Sequence, residues 1–242
     1  KRRRIKVARL KDQVAVITGA GRGIGAATAV ALANEGVDIV LAAKTGNQIE
    51  EIANRVRTIG RRAIAVPTDV SQKDQVDALA AKAYDTFGKV DILVNNAGVA
   101  KHNPIPKIEL ADWQATIDVN LTGVFLCTQV VFESMCQQKY GHIVNVSSVS
   151  GVRSGANFGA YAASKFGVMG LTQSTFAEGK RHGVKAYAVC PGPTDTKMRR
   201  DNHDDDLGKL SQPEDIADLI VFLVTQPQTA HILESVISTP LM

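Results

Sequence analysis

Cysteine is scarce and unpatterned in this chain. There are three, Cys127, Cys136 and Cys190. An odd number argues against a complete disulfide framework, and the spacings match no metal-ligand pattern, so free thiols in a reducing compartment are expected. The five histidines stand singly, so no metal site is expected either. No uninterrupted apolar run approaches the roughly 18 residues of a membrane span, and no secretory apolar region is present. Internal repeats and low-complexity linkers are missing as well. What remains is an ordinary globular composition, 45 % apolar and 21 % charged over 242 residues, enough to bury a sizeable core without disulfides or metals.

Acid is missing from one place. Residues 1–11, KRRRIKVARLK, hold seven of the 28 lysines and arginines and no carboxylate. The rest of the chain carries 21 bases against 24 acids, so the net charge of +4 belongs to this arm alone. The body is therefore not a nucleic-acid binder by charge. The arm reads first as a solvated tail, second as the remnant of a targeting segment, and last as a segment that touches phosphate or membrane. The expected location is cytoplasmic, or an organellar matrix if the arm is such a remnant. Residues 12–242 read as one domain.

That domain alternates strand and helix almost throughout. VAVIT, VDIVLAA, RAIAVP, VDILVN, HIVNVS, VKAYAVC and HILESVIS read as strands. The first six are continuous apolar runs, as expected of strands covered on both faces. Helices lie between them. One ends at Gly36, one at Gly60, one runs from a Ser71 cap to Gly88, one spans about 109–138, and one carries Tyr161 and Lys165. The fold class is α/β: a single-domain, doubly wound parallel sheet with helices on both faces. In such sheets ligands bind outside the carboxyl ends of the strands.

The first strand ends in TGAGRGIG, where Gly19, Gly23 and Gly25 let backbone approach a diphosphate at a helix N-terminus. Ile24 stands where the strict GxGxxG spacing needs its last glycine, and no phosphate-loop lysine follows. The acid that holds a ribose 2′-hydroxyl after strand two is also lacking; Lys44 and Thr45 stand there, with Arg22 in the glycine turn. Two cations suit a 2′-phosphate, so NADP(H) is the expected cofactor. GAYAASKFGVMG sets Tyr161 and Lys165 four residues apart, on one side of a helix. That pair is either surface decoration or a phenol whose proton is loosened by a cation.

Taken in order, TGAGRGIG, Asp69–Val70, NNAG from Asn95 to Gly98, Asn120 in DVNLTGVF, VSSVSG, YAASK and CPGPTDT resemble the short-chain dehydrogenase/reductase family, over about 12–218. The resemblance implies a Rossmann-like fold, a nicotinamide cofactor and interconversion of alcohols and carbonyls. It assigns Tyr161 as general acid/base, Lys165 as the cation lowering its pKa and holding the ribose, and Ser148 as a hydroxyl on the substrate oxygen. Asn120 would fix the helix that bears it and hold a water in a relay to Lys165. Asp69 and Val70 match an adenine-contacting pair. Asn95, Ala97 and Gly98 match the strand-four turn, and Pro191, Gly192, Thr194 and Thr196 the segment over the nicotinamide.

Sequences of this look are often 3-oxoacyl-thioester reductases, so that is the first substrate expectation. The alternatives are a reductase of another ketone, sugar or steroid, or a catalytically silent dinucleotide sensor. Expected partners are a small carbonyl or alcohol and further copies of the chain. A tetramer is expected through the helices at about 109–138 and 160–181, with Ala162, Ala163 and Gly167 allowing close approach; a dimer is the fallback. No nucleic acid and no membrane is expected. Two departures stand out. The C-terminus lacks the family's usual glycine-rich ending, and the lid segment KMRRDNHDDDLGKL is short, with Asp204–Asp206 read as a solvated run.

Overall fold

The β-branched runs stack side chains on both faces of an extended backbone and become strands. The computed structural model describes residues 10–239. Its strands are β1 Val14–Thr18, β2 Asp38–Ala43, β3 Ala63–Pro67, β4 Ile92–Asn95, β5 Gly141–Val146, β6 Val184–Pro191 and β7 Glu234–Ile237. They form one sheet in the order β3-β2-β1-β4-β5-β6-β7, every pair parallel. The helices are α1 Gly23–Asn34, α2 Gly46–Thr58, α3 Lys73–Phe87, α4 Leu110–Ile117, α5 Gly123–Gln138, α6 Gly159–Gly179, α7 Lys197–Arg200 and α8 Pro213–Val224.

Alternate strand residues point to opposite faces. Ala15, Ile17, Ile39 and Leu41 pack under α1, α2 and α8, while Val14, Val16, Val40 and Ala42 pack under α3 and α5. Met169 of α6 covers Ala188 and Cys190 of β6. This is the doubly wound sheet expected from the continuous apolar runs. The strand order reverses between β1 and β4, which opens a crevice at the carboxyl ends of these strands.

Several local expectations need correcting. Ser71 does not cap α3; the cap position is Gln72, and the Ser71 hydroxyl donates to Asp69 Oδ1 at 2.7 Å instead. The stretch from Leu110 to Gln138 is continuous but not uniform, since a π turn, Asp118–Thr122, joins α4 to α5. By length and composition this 29-residue stretch is apolar enough to cross a membrane. It is not one unbroken apolar run, because Thr122, Thr128 and Gln129 interrupt it. Here its Cys127, Val131 and Met135 are buried in the core beneath the sheet. Ala162 and Gly167 of α6 serve packing within the chain. Ala162 is buried, and a Cβ on Gly167 would stand 2.7 Å from Leu121 Cδ2. Of the basic arm, residues 1–9 lie outside the described residues; Leu10 is buried, its N–H donating to Glu35 O at 3.1 Å.

Candidate active site

The glycine turn follows β1 directly. Gly19 sits at φ +62°, and a Cβ there would stand 2.8 Å from Ala97 Cα. A Cβ on Gly25 would meet Gly19 O and Asn96 Nδ2 at 2.5 Å, so both positions exclude side chains. Thr18 Oγ1 accepts from Asn96 N at 3.0 Å and Ala97 N at 3.1 Å, and Asn96 Nδ2 donates to Thr18 O and Gly19 O. The β4 exit thus clamps the turn. α1 starts at Gly23 with no side-chain cap at Arg22 and no acid in its first turn. Its first N–H groups and positive dipole end therefore suit a diphosphate.

A cavity of about 510 Å³ runs across the carboxyl ends of the strands. Gly19, Arg22, Gly23, Ile24, Lys44, Thr45, Val70, Ala97, Gly98, Pro191, Gly192, Thr194 and Thr196 line it together with Ser148, Tyr161 and Lys165. Four expected site residues do not. Gly25 is packing, as above. Asn95 turns into the core, where Nδ2 donates to Asn145 Oδ1 at 2.8 Å; its neighbour Asn96 is the one that lines the cavity. Asp69 pairs with Lys44 Nζ at 2.7 Å. Burial opposes its ionisation, but hydrogen bonds from Lys44 and Ser71 hold its carboxyl below the usual range. Asn120, fully buried in the π turn, accepts from Val99 N at 2.8 Å and donates to Val99 O at 2.9 Å and Ser164 Oγ at 3.1 Å. Both its amide hydrogens are spent inside the protein. It ties the β4 exit loop to α6, and only Oδ1, next to Gly98, retains capacity for a water.

At the catalytic end, Ser148 follows β5 and accepts from Ser150 N at 3.1 Å. Its hydroxyl faces the same cavity as that of Tyr161 and favours ionisation of the phenol. Lys165 is buried, donates from Nζ to Val146 O at 2.9 Å, and lies 5.7 Å from the centre of the Tyr161 ring. Burial pushes the Tyr161 hydroxyl above the usual phenol range, against the lowering bond from Ser148. Burial likewise pulls Lys165 down to about 8. Burial sets the net direction at Tyr161, and the Lys165 ammonium beside the ring is aimed at a backbone carbonyl.

Sequence reasoning missed the residues beyond Tyr161. His102 from the β4 exit loop, Phe158 before α6 and His203 from the lid all line the cavity. Ring centres are 4.2 Å apart for His102 and Phe158, 5.1 Å for His102 and His203, and 6.1 Å for His102 and Tyr161. No spacing signal announces them, because they converge from three separate loops. The lid's acids are not merely solvated. Asp205 takes two hydrogen bonds from Arg199, at 2.5 and 2.9 Å, and Asp206 accepts from Gly208 N at 3.1 Å.

Comparison with known proteins agrees with this geometry. The short chain dehydrogenase family model matches residues 13–207. A 3-oxoacyl-[acyl-carrier-protein] reductase of Synechocystis is 40 % identical over 230 residues, covering 92 % of this chain and 93 % of its own. An alcohol dehydrogenase from Thermococcus sibiricus, solved with 5-hydroxy-NADP, superposes with a TM-score of 0.89 at 27 % identity, covering 95 % of this chain and 97 % of its own. A metagenomic short-chain oxidoreductase in complex with NADP is 34 % identical with a TM-score of 0.82 and the same coverage. The chain belongs to the short-chain dehydrogenase family and is an oxidoreductase.

Proposed function

We propose that the chain is an NADP(H)-dependent carbonyl reductase, with 3-oxoacyl thioesters as its first substrate class. One observation carries this reading: Ser148, Tyr161 and Lys165 face the same cavity as the open α1 N-terminus, Arg22 and Lys44. The diphosphate would rest on the N–H groups of α1, and Arg22 and Lys44 would hold the 2′-phosphate, with Lys44 released from Asp69. Thr45 and Val70 flank the adenosine end; Pro191, Gly192, Thr194 and Thr196 the nicotinamide end. When bound, the nicotinamide ring gives or takes a hydride. The Ser148 hydroxyl donates to the carbonyl oxygen, and the Tyr161 hydroxyl gives that oxygen its proton in reduction and recovers it in oxidation. Lys165 supplies positive charge beside the phenol and holds the ribose, while Asn120 positions the loop and helix around them.

The relative's name supports the substrate class, as does the pairing of the loop cations Lys197, Arg199 and Arg200 with carboxylates. The chain is a homo-oligomer in this reading. Phe125 and Phe166 on α5 and α6, and Phe222 and Val236 on α8 and β7, are exposed on two faces, as a tetramer with two kinds of contact requires. The test is loss of reduced-nicotinamide absorbance with NADPH or NADH and a panel of oxoacyl thioesters, diketones and sugar ketones. NADPH turnover well above NADH turnover is expected; equal or better use of NADH would reject the cofactor assignment, and no turnover with any ketone would favour a silent sensor.

A further inference from the structure

The cluster beside Tyr161 contains one unspent group. His102 Nε2 is sealed from solvent and has no hydrogen-bond partner. A buried polar atom left alone is costly, and at the wall of a cavity it marks where a ligand atom belongs. The imidazole is well fixed. It lies against Phe158 with ring centres 4.2 Å apart, and Asn103 N, next in the chain, donates to Asn157 O at 3.0 Å. Beyond it, Ile105 and Ile108 pack on the start of α6, where a Cβ on Gly159 would stand 2.7 Å from Ile105 Cδ1. The loop bearing His102 is therefore docked on the helix bearing Tyr161.

The charge state follows from the surroundings. Burial first, then the neighbouring His203 and Arg199, holds His102 below the usual histidine range, so the ring is neutral at neutral pH. The cations nearby are already matched: Arg199 by Asp205, Arg200 by Asp195 at 2.7 Å, and Lys101 by Asp112. A carboxylate or phosphate finds no free partner among these loop cations, and Lys165 is aimed at Val146 O, whereas a neutral oxygen finds an N–H. The His102 ring stands edge-on to Tyr161 at 6.1 Å, so an oxygen reaching it lies only a few bonds from the carbonyl held by Tyr161.

We propose that His102 is a specificity-determining residue whose Nε2–H donates to a second carbonyl oxygen of the substrate, so that the enzyme selects uncharged 1,2- or 1,3-dicarbonyl compounds over monoketones of the same length. Phe158 and His203 close on the flat face of that unit. The inference rests on the reading above, in which Ser148 and Tyr161 take the first carbonyl. A site built to hydrogen-bond a substrate group discriminates against analogues that lack it, because its own polar atom is then left unpaired.

The test compares ethyl 3-oxobutanoate with 2-heptanone, which have equal chain length, using NADPH and the full chain. The quantity read is the ratio of their kcat/KM values. His102→Phe keeps a ring against Phe158 and removes the donor; it should shrink the ratio by roughly tenfold or more. His102→Gln, which retains a donor, should keep most of the ratio. An unchanged ratio in His102→Phe, or an equal fall for both substrates, overturns the inference while leaving the reductase reading intact. Wild-type failure on both compounds and on every other ketone overturns that reading and this inference with it. A measurement that needs no variant is the nitrogen-15 signal of the His102 imidazole. It should move on adding ethyl 3-oxobutanoate and not on adding 2-heptanone, and identical responses would contradict the proposal.

Discussion

Two largely buried tyrosine–lysine sets sit at opposite ends of β5 and β6. At the carboxyl ends are Tyr161 and Lys165 with Ser148. At the amino ends are Tyr187 and Lys185 with His142 and Tyr140. Burial raises both Tyr161 and Tyr187 above the phenol range and lowers both lysines. By perturbed pKa alone the two sets would be equal candidates. They differ in what is left unspent. His142 meets Tyr187 OH at Nδ1, 2.8 Å, and Tyr140 OH at Nε2, 3.1 Å; Tyr140 OH also accepts from Gln13 Nε2 at 2.8 Å. Lys185 Nζ donates to Pro227 O and Ala230 O, both at 2.7 Å. Around Tyr161 the hydroxyl has only Ser148 as a polar neighbour acting on its ionisation, Lys165 Nζ has Val146 O, and both residues open on the cavity. The saturated set staples strands and a C-terminal loop. The unsaturated one retains hydrogen-bond capacity for a substrate and cofactor.

Substitutions should separate the two ends. The largest effect is expected for Lys165→Ala, which removes the charge beside the phenol and a ribose contact. Turnover should fall by roughly 10²–10⁴-fold, with weaker NADPH binding in a fluorescence titration. Ser148→Ala should cost roughly 10²–10³-fold in kcat/KM, as loss of one oxyanion donor does. Lys44→Asp, at the far end of the same cavity, should change the NADPH-to-NADH preference by roughly 10–100-fold with little effect on kcat at saturation, checked by steady-state kinetics with each cofactor.

The smallest activity effect, and a stability effect instead, is expected at the amino ends. His142→Phe leaves the buried Tyr187 hydroxyl without a partner and takes one of two partners from Tyr140, and should cost about 1–3 kcal/mol in urea unfolding while kcat/KM stays within about twofold. The pH dependence adds a sign. His142 is held down to about 3 by burial, so it stays neutral in the folded protein while an unfolded histidine protonates near the ordinary value of about 6.5. Between those values the unfolded chain binds the extra proton. Stability contributed by the neutral ring is therefore lost as pH falls below about 6.5, at up to ~1.4 kcal/mol per pH unit. Unfolding curves at about pH 7.5 and about pH 5 should show a shallower loss for His142→Phe than for wild type.

The fold was readable because its strands are unbroken apolar runs and its helices stop at glycines such as Gly36, Gly60 and Gly88. The glycine turn and the Tyr161–Lys165 spacing were readable for the same reason: each is a local pattern with a local physical cause. Ser148, Asn120 and the strand-four turn came from the resemblance and from nothing in their own spacing. What stayed hidden depends on which way a chain turns at a strand end. Asn95 and Asn96 are chemically identical neighbours, and only the pleat sends one into the core and the other to the cavity. Asp69 could not be seen to pair with Lys44, nor Asp205 with Arg199, because both pairings bridge separate loop segments. His102, Phe158 and His203 meet only after β4, α6 and the lid are in place.

The comparison is tested most directly by one paired measurement on the two tyrosines: kcat/KM for ketone reduction and the thermal midpoint, for Tyr161→Phe and Tyr187→Phe side by side. Each substitution removes one hydroxyl from a ring the core retains. Tyr161→Phe should lose roughly 10²–10⁴-fold in kcat/KM and melt close to wild type. Tyr187→Phe should keep its activity and melt several degrees lower, since an unpaired His142 nitrogen costs about 1–3 kcal/mol and each kcal/mol lowers the midpoint by about 2–4 °C in a chain of this size. If Tyr161→Phe retains more than about a tenth of wild-type activity, or Tyr187→Phe is inactive while folded, unspent hydrogen-bond capacity facing the cavity is not what distinguishes the catalytic set.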